Sequence, residues 1–164
     1  MKNLDYNEVL KKIEEMKKGR NFDLSTEEDL AIAVMNLISL EEHMFFTGAK
    51  TDKPEYFDML NEIRSMRTKL LGKMIDKTEG ETWCISKHLL ATCMRLFEVG
   101  TKLQADGKKA DAQEMFEQAH KMFTMFFALR LKIVEVCDVK DMANEEKPWT
   151  MKDIVNKLVD CCKE

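Results

Sequence analysis

The chain has 164 residues, 45% hydrophobic and 34% charged, the size and balance of one folded domain that buries roughly two thirds of its unfolded surface. A net charge of -4 argues against an electrostatic grip on nucleic acid, which needs clustered Lys and Arg, and with 2 Pro and 6 Gly the loops must be few. The five cysteines, odd in number and with Cys161 next to Cys162, are poor material for a disulfide framework and point to a reducing, cytoplasmic setting.

Helical signals run almost end to end. Tyr6, Val9, Leu10, Ile13 and Met16 share one face of a flanking helix, about residues 4–18, that stops near Gly19. Ser25 with Glu28 reads as a capping box. From it Leu30, Val34, Leu37, Ile38, Glu41 and Phe45 keep a 3.6-residue period up to Gly48. Pro54 suits the first turn of a third helix carrying Phe57, Leu60, Ile63, Leu70 and Met74 to about Lys77. A fourth helix opens near Thr82 and passes Leu89, Leu96, Val99 and Leu103 to Gly107. The fifth holds Met115, Phe116, Ala119, Met122, Phe123, Phe126, Leu129 and Ile133. It is apolar nearly all round, so it is expected to be the most buried. Its run 122–129 is the longest apolar one and is too short for a bilayer, so no membrane partner is expected.

Residues 138–149 are polar and contain Pro148, as a linker does. Thr150 and Asp153 then cap a last helix, 150–162, with Met151, Ile154, Val155, Leu158 and Cys162 on one stripe. No segment alternates as a strand does. Residues 40–75 and 96–131, laid over one another without gaps, match at Glu42 and Glu98, Ala49 and Ala105, Lys53 and Lys109, Met59 and Met115, and Met66 and Met122. The expected fold is therefore all-α over a single domain, 1–164. A four-helix bundle of two antiparallel helical hairpins, about 25–137, would carry flanking N- and C-terminal helices.

In the second hairpin Leu96, Gly100 and Leu103 precede the turn at Gly107, and Ala112, Phe116 and Ala119 follow it. Over about residues 93–126 this pattern resembles a tetratricopeptide hairpin. The resemblance implies closely paired helices and, in stacked hairpins, a groove for peptides. Leu96 and Leu103 stand where that family places aromatic residues, and its closing proline is absent.

Two clusters carry candidate chemistry. Cys84, Lys87 and His88 lie at the start of the fourth helix. There the positive end of the dipole lowers a thiol pKa, and His88 one turn on is placed to act as base. Cys84 and His88 are also half of a zinc site if Cys161 and Cys162 complete it. The plainer account packs Trp83 and Cys84 beneath the loop, with Lys87 and His88 in solvent. The second cluster is Glu41, Glu62, Glu117 and His120, whose Glu-x-x-His spacing matches carboxylate-bridged iron or manganese bundles. Against it, Glu117 pairs with Lys121 at i, i+4, and Glu41, on an apolar face, needs Arg64 or Arg67 as partner inside the bundle.

No glycine-rich phosphate loop, nucleophile elbow or H-E-x-x-H occurs. The expectation is a non-enzymatic interaction or scaffold module without a cofactor, whose partner is a protein, a peptide or a second copy in a homodimer. A metal bundle and a thiol enzyme or redox sensor are the alternatives. The 13 methionines suit an adaptable binding surface as well as a core.

Overall fold

A computed structural model describes residues 6–19 and 23–133. Within them the order is α1 (Tyr6–Gly19), α2 (Leu24–Thr51), α3 (Glu55–Met74), a 3-10 turn (Lys77–Glu79), α4 (Glu81–Ala105) and α5 (Lys109–Arg130). Every one of these elements is helical, as the periodicity predicts. The expected last helix and the linker before it lie outside the described residues.

The helix starts differ from the sequence reading in one instructive place. Asp23 caps α2, accepting from the Ser25 and Thr26 amides at 3.3 Å each, and Ser25 falls inside the helix. A carboxylate two residues upstream serves two orphan amides at once and adds charge at the dipole's positive end, so it outcompetes the Ser25 hydroxyl. The C-terminus of α2 is stopped by Asp52 at φ 55, a left-handed conformation that Asp tolerates. After α3 the chain does not coil on to Lys77. Met74 ends the helix, and Asp76 with Glu79 closes a capping box around the 3-10 turn.

α2 packs on α3, α4 packs on α5, and α2 touches α4. In both connected pairs a glycine receives an aromatic ring. A Cβ at Gly48 would stand 2.9 Å from the Phe57 ring, and one at Gly100 only 2.6 Å from the Phe116 ring. Ala112 and Ala119 are buried, so the small residues of the tetratricopeptide-like pattern do lie at packed positions.

The core draws on the first half of α2 (Ala31, Val34, Met35), the end of α3 and the residue after it (Leu71, Met74, Ile75), the first half of α4 (Trp83, Leu90, Cys93) and the second half of α5 (Phe126, Leu129). The remaining halves leave Phe45, Phe46, Phe57, Phe97 and Val99 exposed. Contrary to expectation, α4 rather than α5 is the more buried helix. Phe116 and Phe123 are only half-buried and Met125 is exposed. α4 has α2 on one side and α5 on the other, whereas α5 packs chiefly on α4.

α2 also corrects the reading of bilayer length. At 28 residues with a mean hydropathy of 1.2 over its most apolar window, it is long and apolar enough to cross a membrane by length and composition. Only 17% of that window is buried among the described residues. Here α2 is tied by ion pairs to α3 and α5.

Candidate functional site

Between α2 and α4 runs an open groove of 390 Å³. α2 lines it with Ile38, Ser39 and Glu42, and α4 with Ala91, Thr92, Arg95, Leu96 and Val99. The spacing explains the lining. Residues 38 and 42 are one turn apart, as are 91 or 92 and 95 or 96, and 99, so each helix presents a single stripe.

Arg95 spans the two walls. Its Nη2 donates to Ser39 Oγ at 2.7 Å and its Nε stands 3.4 Å from Glu42 Oε2, both charged side chains being about half exposed. One and two turns along α2 the stripe meets Phe45 and Phe46, whose rings touch edge to face with centroids 5.2 Å apart, and Lys50, which sits over the Phe46 ring. The groove is thus apolar over Ile38, Ala91, Leu96 and Val99 and bridged by Arg95 to both Ser39 and Glu42, with exposed aromatic side chains farther along α2.

The residues singled out from sequence fall elsewhere. Trp83 and Cys84 are buried, Cys84 with 2% exposure, while Lys87 is half-buried and His88 exposed. The plainer account expected Lys87 in solvent with His88, and of the two only His88 is exposed. Cys161 and Cys162, needed for a zinc site with Cys84 and His88, lie outside the described residues. Cys93, deeper in the same helix, is also buried. Burial pushes its thiol up, and a backbone hydrogen bond at Phe123 works partly against that.

The proposed metal quartet is not gathered into one place. Glu41 turns to α3, where its carboxylate takes Arg67 Nε at 2.8 Å and Nη2 at 3.3 Å. Arg67 is 2% exposed and Glu41 15%, so this is the internal pair expected for a carboxylate on an apolar face. Glu62, Glu117 and His120 are exposed. Glu117 accepts from Gln113 Nε2 at 2.8 Å, one turn back on α5. Among the described residues no group of three or more His, Cys, Asp or Glu side chains is placed to hold a metal ion.

Two features went unread in the sequence. Glu27, in the first turn of α2, and Arg130, in the last turn of α5, form a buried bidentate pair at 2.6 and 3.0 Å across 103 residues. Each charge sits at the helix end that favours it. The signal available was an acid and a base at opposite helix termini, too common a pattern to single out this pair. Ser86, fully buried on α4, has no hydrogen-bond partner for its hydroxyl among the described residues. In comparisons with known proteins no family model, no curated protein and no solved structure matches the chain.

Proposed function

We propose that the chain is a non-enzymatic interaction module that takes an amphipathic helix of a protein partner in the groove between α2 and α4. The observation that carries this reading is the groove itself: 390 Å³, walled by Ile38, Leu96 and Val99, with exposed Phe45 and Phe46 farther along α2. Contiguous exposed apolar surface rimmed by polar residues is the usual mark of a protein-binding site, and an amphipathic helix fills such a groove with anchors at i, i+3, i+4 and i+7.

The arrangement we propose around it is two antiparallel hairpins, α2 with α3 and α4 with α5, set side by side through their first helices. The packing of α2 on both α3 and α4 supports it. A groove for peptides formed by stacked hairpins is also what the tetratricopeptide resemblance implies.

The test is a titration of the full chain with a synthetic amphipathic helix bearing Leu at i, i+3, i+4 and i+7, followed through the methyl resonances of Ile38, Ala91, Leu96 and Val99. Those four shift together, and Val99→Asp raises Kd by about tenfold, equivalent to ~1.4 kcal/mol. Val99 is 45% exposed, so the substitution spares the core. Shifts confined to other surfaces, or an affinity unmoved by Val99→Asp, would overturn the reading.

A further inference from the structure

We infer that the occupant of the α2/α4 groove is a segment of this same chain, residues 150–162, whose apolar stripe covers Leu96 and Val99; the inference rests on the groove reading above and names its partner. The described chain ends at Ile133, one turn past Arg130, which is bound to Glu27 in the first turn of α2. The described chain therefore ends beside the start of α2. Ile38 and Glu42 lie 11 and 15 residues farther along that helix, ~20 Å at 1.5 Å per residue. Sixteen residues separate Ile133 from Thr150, a reach of ~50 Å when extended. The groove is within range of the tether.

The dimensions agree as well. Met151 to Cys162 as a helix measures ~17 Å. The α4 wall from Ala91 to Val99 measures ~12 Å and the α2 lining from Ile38 to Glu42 ~6 Å, so about two turns of such a helix seat along the longer wall. A helix of thirteen residues is marginal alone in water, so a stripe of Met151, Ile154, Val155 and Leu158 needs a surface to form against. Lys152 and Lys157, about 100–120° round from the middle of that stripe, border it on either side with positive charge that suits Glu42 at the groove edge. Tethering supplies a local concentration of roughly millimolar, enough for a weak helix-in-groove contact to prevail. The tail then competes with any outside partner, which makes it an autoinhibitory segment.

The test uses the full chain with Cys137→Ser and Cys161→Ser, keeping Cys162 on the stripe, plus Val99→Cys on the groove wall. Cys84 and Cys93 are buried and stand aside. Under oxidised glutathione, position 99 and Cys162 join within one molecule, giving a faster-migrating monomer on a non-reducing gel. The bond forms at least ten times faster than in the same chain carrying Ser65→Cys, on the exposed face of α3, in place of Val99→Cys. Equal rates at the two positions would mean that the tail samples the surface at random, and the inference fails. A cross-linked dimer as the main product would give the groove to a second copy and equally overturn it. In both cases the peptide titration stands apart. Groove shifts there keep the interaction reading while the tail is discarded, and their absence removes both.

Discussion

Arg67 and Glu41 show how one residue's surroundings dictate its role. The Arg67 guanidinium is almost wholly buried between α2 and α3 and its fork is met by both Glu41 oxygens. Truncating one member leaves a charge in the interior with its compensation reduced, whereas replacing both with apolar groups of similar volume removes the desolvation penalty along with the attraction. Glu41→Ala is therefore expected to cost about 3 kcal/mol in urea denaturation, and the Glu41→Met, Arg67→Met double variant to come within about 1 kcal/mol of the wild type. A single variant costing no more than the double would show that the pair contributes nothing specific. Glu41 was legible because its neighbours one turn away, Leu37, Ile38, Met44 and Phe45, make an apolar face on which a lone acid demands a base. Glu27 was not. It stands among Thr26, Glu28 and Asp29, in a first turn where acids are ordinary, and its partner lies 103 residues away. Local pattern carries no information on such a pairing. Equally, the exposure of His120 could not be read from Phe116, Phe123 and Phe127 around it in sequence, since those rings turn toward α4 or one another.

At the level of elements, helix existence and type followed from the 3.6-residue period, and the boundaries moved where capping chemistry overrode it, at Asp23 and at Met74. The glycines give the sharpest contrast. Gly72, in the last turn of α3, has nothing within 4 Å of the position its Cβ would take, while Gly100 in α4 lies under the Phe116 ring. Alanine in a helix gains roughly 0.5–1 kcal/mol over glycine from backbone entropy alone. Gly72→Ala is thus expected to stabilise the protein by about that much. At Gly100 the same gain is opposed by overpacking of about 1–3 kcal/mol, since a contact of 2.6 Å forces the ring or the helix aside. Gly100→Ala is expected to lower stability by about 1 kcal/mol, and Phe116→Leu in that background to recover part of the loss. Thermal unfolding of the four proteins decides it. A stabilising Gly100→Ala would mean that the α4–α5 contact is looser than the ring-to-glycine distance implies.

For the whole molecule, amphipathic stripes say that helices pack but not which helix meets which, because any apolar stripe suits any other. The sequence therefore pointed to α5, with its run of aromatic residues, as the centre, whereas α4 is more buried than α5 and, like α2, packs on two neighbouring helices. The same asymmetry has a dynamic consequence. Buried side chains concentrate where the first halves of α2 and α4 meet the ends of α3 and α5, while the other halves expose Phe45, Phe46, Phe57, Phe97 and Val99. Local opening costs least where few apolar contacts must be broken, and amides in the most contacted segment exchange only when the whole chain unfolds. Native-state hydrogen exchange should therefore find residues 86–93 of α4, between Trp83 and Met94, among the slowest, with opening free energies equal to global stability. Residues 45–50 of α2 and 101–105 of α4 are expected to open with free energies lower by about 2 kcal/mol or more, although they belong to the same two helices. The gradient along single, unbroken helices is what makes the measurement decisive. Uniform protection from one end of α4 to the other would mean that the exposed halves are held as firmly as the core, and a groove poised to admit a helix would lose its physical basis.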